Sequence, residues 1–222
     1  MKLPLRWPGS INSIAMAVIA IVADASGVQA ESVLIDDFKE GLRPGWEVEK
    51  FSGVTGYEPT VEDGVPCLKA TAEGTASGLF YEIEYDPRQK PILNWKWKID
   101  NIVEGGDART KKGDDYAARI YVVFPSFFFW KTKAINYIWA NRLPKGEAIA
   151  SSYTANAMMV AVESGPANTG KWLEYRRNIH EDYQKYFASP PGKVGAIAIM
   201  TDTDNTGEKV SACYGPIRIS SE

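Results

Sequence analysis

The chain has 222 residues, a formal net charge of −3 and 24% charged residues. No block of like charge is long enough to follow a phosphate backbone, which argues against a nucleic acid as the partner. Aromatic residues make up 12% of the chain, a supply that suits both a packed core and surfaces that stack on sugars.

The first thirty residues have the pattern of a secretory signal peptide. Lys2 and Arg6 give a basic start, an apolar run covers 14–23, and small residues precede the expected cleavage near Ala30. The apolar run is too short to span a bilayer, and an uncleaved N-terminal anchor is the alternative. We therefore predict export to the periplasm or the medium, with no transmembrane segment after cleavage and a single domain over 31–222.

Short β-rich segments, separated by clusters of Gly, Pro, Asn and Asp, fill the rest of the chain. They cover 33–38, 46–51, 65–72, 78–85, 92–100, 115–124, 134–140, 157–164, 171–179, 194–201 and 209–219. Many short strands at fairly regular spacing are typical of an all-β sandwich or barrel. No shift in composition marks a linker, so we predict one β-sandwich domain.

Two cysteines, Cys67 and Cys213, lie in an early strand and in the last strand. Export would permit a disulfide between them. Because the sequence does not supply the Cα separation that a disulfide requires, a bridge and two buried thiols are equally open.

One segment has the pattern of a short helix over 179–188. Asn178 is a suitable N-cap, and Glu181 follows at the spacing of a capping box. Apolar residues recur every four positions, and two prolines and a glycine at 190–192 end the pattern.

Strand alternation places charged and aromatic side chains together on three strand faces. These side chains are Asp115, Arg119, Tyr137, Trp139, Trp172, Glu174 and Arg176. One interpretation is a polar, aromatic-lined groove that binds a ligand. The other is a set of solvated strand faces with cross-strand ion pairs and ordinary core aromatics.

The segment "TDTDNTG" at 201–207 has the spacing of oxygen ligands but not a complete calcium motif. The position that should carry the bidentate Glu of an EF-hand is Cys213. A turn is the first interpretation. A structural calcium ion on Asp202 and Asp204 is the second, and a ligand-binding or catalytic role for these residues is the third. No other cofactor is predicted.

The common catalytic signatures are absent from the sequence: it has no G-x-S-x-G, H-E-x-x-H, Walker loop or C-x-x-C. The single histidine, His180, excludes a multi-histidine metal site within one chain. The aromatic run at 126–130 is interpreted first as core and second as a partner or membrane contact.

The segments "LNWKWKID", "KGDDYAARIYVVF", "INYIWAN", "GKWLEYRRNIHEDYQKYF" and "AIAIMTDTDNTG", in this order, resemble the exported bacterial family catalogued as domain-of-unknown-function family 3047. The resemblance covers about residues 33–219. It implies a bacterial, exported β-sandwich with a jelly-roll topology, like carbohydrate-binding modules and galactose-binding-like domains. It implies no reaction and no catalytic residues.

The leading hypothesis is a non-catalytic envelope protein that binds a saccharide or another polyhydroxylated ligand. Tyr137 and Trp139 would stack on sugar faces, and the charged side chains of the polar rows would bond to hydroxyls or a uronate carboxylate.

Two alternatives belong to other functional classes. A polysaccharide-acting enzyme could use Glu174 with Asp202 or Asp115 as a hydrolase pair. A lyase could instead use Arg119 or Arg176 with Tyr137 or His180 as the base. A structural or partner-binding envelope protein would present the aromatic run at 126–130.

Overall fold

The structure, a computed structural model, describes residues 31–222, so the predicted signal peptide lies outside the described residues. Two β-sheets and one α-helix account for most of the described chain. Sheet A contains β1 (Ser32–Asp36), β3 (Gly56–Glu62), β4 (Val65–Glu73), β6 (Ile92–Ile99), β11 (Leu173–Asn178) and β13 (Lys209–Ser220). Sheet B contains β2 (Trp46–Ser52), β5 (Ala76–Tyr85), β7 (Tyr116–Phe124), β8 (Lys133–Ala140), β9 (Ala148–Ala150), β10 (Ala157–Ser164) and β12 (Val194–Asp202).

The order of the strands is that of a jelly roll. Sheet A runs β11-β6-β13-β4-β3, with β1 added beside β13, and sheet B runs β2-β5-β12-β7-β8-β10-β9. Four consecutive strands of each sheet, β11-β6-β13-β4 and β5-β12-β7-β8, have the two interleaved Greek keys that define this topology. The predicted β-sandwich with jelly-roll topology is therefore confirmed.

The core lies between the sheets and follows strand alternation. In β6 the residues Trp95, Trp97 and Ile99 are buried, whereas Asn94 and Lys96 face outward. Inward aromatic rings from both sheets meet at the centre, where Trp95 stacks on Tyr137 with ring centroids 5.2 Å apart. A period of two residues is therefore enough to divide this strand into a core face and a solvent face.

The helix α1 (Ile179–Phe187) follows β11 without a loop. The side chain of Asn178 accepts a hydrogen bond from the Glu181 N–H at 3.1 Å, as the capping pattern predicts. The helix ends with Ala188 in the left-handed conformation. The single short helix predicted from the sequence is thus present, and no helix within 31–222 is long and apolar enough to cross a membrane.

The structure joins Cys67 of β4 and Cys213 of β13 in a disulfide with a Cα separation of 5.6 Å. This separation lies within the range that a disulfide allows. The bond links two neighbouring strands that are 146 residues apart in the sequence.

Strands β8 and β10 pair in parallel, so the chain must return along the sheet between them. This return, at 141–156, includes the short strand β9 and brings Tyr153 to the outer surface of sheet B. This loop therefore lies beside the outer surface of sheet B, near the first residues of β7 and the last residues of β12.

Candidate functional site

The structure separates the polar rows that the sequence analysis joined in one groove. Arg119 lies on β7 in sheet B, whereas Glu174 and Arg176 lie on β11 at the edge of sheet A. Each row faces away from the other sheet, and packed sheets are about 10 Å apart. The prediction of one shared groove is therefore wrong, because the jelly roll assigns β7 and β11 to different sheets.

Tyr137 and Trp139 belong to the core and do not contact solvent. The Tyr137 hydroxyl donates to Asp182 Oδ2 at 2.6 Å, and Trp139 Nε1 donates to the Gly165 carbonyl at 3.0 Å. The prediction that these rings stack on a ligand is wrong, because their faces pack inside the sandwich.

Asp115 is buried and organises the 203–207 turn. Its carboxylate accepts hydrogen bonds from the Thr206 N–H at 2.7 Å and from the Asn205 N–H at 3.3 Å. Gly207 has φ +75°, which a glycine adopts without strain. Asp115 therefore fixes the loop from the interior and, because it is buried, does not line the hollow where a saccharide would bind, which corrects its predicted role.

Arg119, near the beginning of β7, forms a buried ion pair. Its side chain is 4% exposed, contacts the carboxylate of Asp202 and lies 3.9 Å from Asp114. The guanidinium also lies over the rings of Tyr116 and Tyr121, at 4.9 Å and 5.5 Å from the ring centres. Among the described residues, Arg119 Nε and Asp202 Oδ1 are buried without a hydrogen-bond partner.

This ion pair forms the base of a surface hollow of 290 Å³, which we name the aromatic hollow. Phe51 and Tyr153 are its most exposed rings, at 59% and 56%. The Tyr153 hydroxyl lies 3.0 Å from Asn205 Oδ1 and fixes the ring beside the 203–207 turn. The hollow is lined by Phe51, Ala76, Asp114, Arg119, Tyr121, Tyr153, Met200, Asp202, Asp204 and Asn205.

Two further hollows, of 540 Å³ and 280 Å³, continue along the outer surface of β2, β5, β12 and β7. Both include Phe80 and Glu82, and the Phe80 ring lies 6.4 Å from the Tyr121 ring of the aromatic hollow. We name this continuous outer surface of sheet B the aromatic face. Gly195 lets the Pro125 ring pack closely against this surface, because an added Cβ would lie 2.7 Å from that ring.

The electrostatics of the aromatic hollow are acidic. Burial raises the pKa of Asp202, Arg119 opposes this change, and Asp115 and Asp114 add to it. Burial also raises the pKa of Asp114. Oxygen atoms of Asp115, Asp202 and Asp204 all lie within 4.8 Å of one another. The hollow therefore presents hard oxygen groups of the kind that bind cations or sugar hydroxyls.

A second polar region lies around the edge strand β11 and consists of two adjoining hollows of 460 Å³ and 270 Å³. We name it the basic groove. Arg176 and Tyr175 line both hollows, and Glu174 lines the larger one. Trp172 stands beside the groove, with Lys96 Nζ 5.5 Å from its ring centre. Glu174, Arg176 and Trp172 are thus brought together as predicted, but apart from Arg119.

Sequence reasoning missed the exposed rings of the aromatic hollow. Phe51, Tyr121 and Tyr153 come from distant segments of the chain, and only Tyr121 lies on the same strand as Arg119. The aromatic run at 126–130 was interpreted first as core, but Phe127 is 96% exposed. The signal for exposure is its position in a loop between β7 and β8.

The fold and the site define a jelly-roll β-sandwich that carries polar hollows on the outer surfaces of both sheets. The chain belongs to the family described as protein of unknown function (DUF3047), whose model matches residues 44–218. No curated protein matches the sequence.

Several solved structures are similar to this chain at low sequence identity. A family 29 carbohydrate-binding module from Piromyces equi shares 10% identity over 88% of this chain and 93% of its own, with a TM-score of 0.43. The xyloglucanase domain of NopAA from Sinorhizobium fredii, in complex with cellobiose, shares 8% identity over 86% and 97%, with a TM-score of 0.44. An adhesin domain of Lys-gingipain from Porphyromonas gingivalis shares 11% identity over 85% and 99%, with a TM-score of 0.41.

Proposed function

We propose that this protein binds a saccharide or another polyhydroxylated ligand on the aromatic face, without chemical conversion of the ligand. The observation that carries the proposal is the exposure of Phe51 and Tyr153 above a fixed polar base. Sugar rings present apolar C–H faces and a rim of hydroxyls. A site for them needs aromatic surfaces and convergent polar groups together.

The polar base of the aromatic hollow is rigid before a ligand arrives. Arg119 and Asp202 neutralise one another between two tyrosine rings, and Asp115 holds the adjacent turn. The exposed carboxylate of Asp204 and the half-buried carboxylate of Asp114 are left to accept hydroxyl hydrogen bonds. Preorganisation of this kind lowers the entropic cost of binding.

The length of the aromatic face favours an oligosaccharide over a monosaccharide. Three hollows follow one another from Tyr153 to Glu47, joined by the contact between Phe80 and Tyr121. Small residues such as Ala196 and Gly195 line the middle hollow, so a ligand chain can approach the sheet closely.

Calorimetric titration with a panel of neutral oligosaccharides tests the proposal. We expect binding at millimolar concentration or tighter. Tyr153→Ala should weaken it roughly tenfold, the loss typical of a central contact. Tyr153→Phe keeps the ring and removes only the hydroxyl that bonds to Asn205, so it should lose less affinity than Tyr153→Ala. Absence of binding across the panel at millimolar concentration would remove the proposal.

A second candidate function is hydrolysis of a polysaccharide, favoured by the presence of Asp114, Asp202 and Asp204 in one hollow. The pairs proposed from the sequence, Glu174 with Asp202 or Asp115, do not form, because Glu174 lies on sheet A, whereas Asp202 ends β12 of sheet B and Asp115 directly precedes β7 of that sheet. The lyase arrangement with Tyr137 as the base also fails, since Tyr137 is buried. Release of reducing sugar by the wild type and not by Asp204→Asn would favour the enzyme.

A third candidate is a structural or partner-binding role, favoured by the exposure of Phe127 in the 126–130 segment. Substitution Phe127→Ser should then change the association state and leave oligosaccharide binding intact. Sedimentation velocity of both proteins decides between these outcomes.

We also infer that Asp202 and Asp204, with Asp115, hold a calcium ion at the rim of the aromatic hollow. Three carboxylates within 4.8 Å face only one guanidinium, and Asp202 Oδ1 is buried without a partner among the described residues. A cation would satisfy that oxygen and reduce the repulsion between the carboxylates.

Export remains part of the proposal. The basic, apolar and small-residue pattern of residues 1–30 supports a signal peptide, and the bond between Cys67 and Cys213 suits an oxidising compartment. Mass spectrometry of the mature chain should find its first residue near Glu31, and an N-terminus at Met1 would contradict cleavage.

A further inference from the structure

We propose that the basic groove is a second, separate binding site, specific for an oligosaccharide whose sugars carry carboxylates. The inference does not rest on the proposed function of the aromatic face. The larger hollow of the groove lies on the other sheet, and the chemistry of the groove is cationic where the aromatic hollow is acidic.

The basic groove concentrates positive charge in a chain of net negative charge. Only one carboxylate, that of Glu174, lines its two hollows. The cations that line them are Lys96, Lys145, Arg176, Arg177, Lys185 and Arg218. A surface with this imbalance attracts an anionic ligand.

The cations of the groove differ in their partners. Lys145 binds Glu163 at 2.8 Å, and Arg177 binds Asp182, so these two are neutralised from behind. Lys96 lies 3.8 Å from Glu174. Within 31–222, Arg176 and Arg218 have no ion pair, and both are exposed. Lys185 is likewise exposed and has no ion pair within 31–222, but it lines only the smaller hollow. In the larger hollow the guanidinium groups of Arg176 and Arg218 are therefore the cations available to a ligand.

Sheet register sets the spacing of these two arginines. Arg176 of β11 and Arg218 of β13 both pair with Asn94 of β6, so the three residues form one rung across the sheet. Neighbouring strands are about 4.8 Å apart, which places the two arginine backbones about 10 Å apart with an amide between them. Each planar guanidinium can bind one carboxylate through two hydrogen bonds.

The neighbouring row of residues across the sheet lines the larger hollow beside these arginines. Glu174 pairs with Lys96, and on β13 the register shifts at the Gly215–Pro216 segment. An added Cβ on Gly215 would lie 2.7 Å from Lys96 Cγ, so the side chain of Lys96 occupies the space that a larger residue would take. A hollow of 460 Å³, large enough for a sugar ring, lies beside the arginine pair.

The pattern of charges favours a carboxylated oligosaccharide over a nucleic acid. A nucleic acid presents a charge about every 1.7 Å along the duplex axis, and its phosphates would meet the carboxylate of Glu174. A polyuronate carries one charge for each sugar and hydroxyls between the charges. Asn94 and Glu174 can bond to those hydroxyls while Arg176 and Arg218 hold carboxylates.

Titration with tetragalacturonate tests this assignment, and its methyl ester serves as the uncharged control ligand. We expect the wild type to bind tetragalacturonate at least about tenfold more tightly than the ester, because the ester cannot accept from a guanidinium in the same way. Arg176→Gln and Arg218→Gln should each weaken binding about fivefold. Arg176→Lys should lose less affinity than Arg176→Gln. Lys50→Gln removes the same charge on the edge strand of sheet B and should leave the affinity unchanged.

Salt and competing polyanions complete the test. Affinity for tetragalacturonate should fall as salt is raised, since the contacts are exposed. Tyr153→Ala should bind it as the wild type does, which separates this site from the aromatic face. Equal affinity for the ester, unchanged binding by both glutamine variants, or equal displacement by single-stranded DNA or by anionic phosphatidylserine vesicles would each overturn the proposal. Circular dichroism of each variant confirms that it is folded.

Discussion

Two arginines on opposite sides of the sandwich show how burial decides the use of a charge. Arg119 is 4% exposed and is neutralised by Asp202, with tyrosine rings on its faces. Arg176 is exposed on β11 and has no ion pair in the described part of the chain. A buried charge needs a partner within the protein, so Arg119 pairs with Asp202 and forms the base of the aromatic hollow. An exposed charge keeps its bonding capacity, so Arg176 is available to a ligand.

The largest expected difference between the two regions concerns stability. Asp202→Ala leaves the guanidinium of Arg119 buried without its carboxylate, and we expect the free energy of unfolding to fall by about 3–5 kcal/mol. Arg176→Ala removes only an exposed side chain and should change it by less than about 0.5 kcal/mol. Urea denaturation followed by circular dichroism measures both.

The double variant Arg119→Met/Asp202→Leu controls for the charge itself. It removes both ions and keeps much of the volume, so it should be more stable than Asp202→Ala alone. If Asp202→Ala and Arg176→Ala lower the free energy of unfolding equally, the buried pair does not contribute more to stability than the exposed cation does.

Calcium should stabilise the protein through the carboxylates of the aromatic hollow and not through the basic groove. At a concentration one hundred times its dissociation constant, a bound ion stabilises the folded chain by about 2.7 kcal/mol. We expect this gain for the wild type and for Arg176→Gln, and its loss in Asp204→Asn. Thermal unfolding with calcium or with EDTA measures it. A calcium effect that survives in Asp204→Asn would place the ion elsewhere.

A smaller effect should appear as a dependence of stability on pH, through Glu163 behind the basic groove. Burial alone would raise the pKa of Glu163, but hydrogen bonds from Lys145, the Ser164 N–H and Tyr175 outweigh it and lower the pKa. A lowered pKa in the folded state contributes stability above the usual pKa of glutamate. That contribution is lost as the pH falls through the folded pKa.

Glu163→Gln should therefore remove about 1 kcal/mol of stability at neutral pH and less at acid pH. The exposed Glu174, whose side chain is 79% exposed, supplies the comparison. Glu174→Gln removes no buried hydrogen bond and should change the stability at neutral pH by less than about 0.5 kcal/mol. Equal stability of the two variants at every pH would show that the hydrogen bonds of Glu163 do not stabilise the folded state.

Local signals in the sequence predicted the local structure. The helix follows from Asn178 and Glu181, which act within one turn, and the inward face of β6 follows from a period of two. The choice of sheet for a strand is not local. Nothing near Arg119 or Glu174 says that β7 and β11 belong to opposite sheets, so their predicted convergence failed.

Alternation also leaves open which face of a strand is buried. It placed Tyr137 and Trp139 on one face correctly, but that face is the core, because other strands supply apolar partners such as Trp95 and Trp97. The aromatic hollow needed Phe51 and Tyr153, which only the return loop after β8 and the edge strand β2 bring together. Such contacts depend on the complete fold.

The most direct test of the central claim is to map the binding surface by NMR, with the tightest neutral oligosaccharide from the panel as ligand. We expect shifts of backbone and aromatic signals at Phe51, Phe80, Tyr121 and Tyr153, with the signals of β6, β11 and β13 unmoved. Shifts confined to β6, β11 and β13, or no shifts at millimolar ligand, would contradict it.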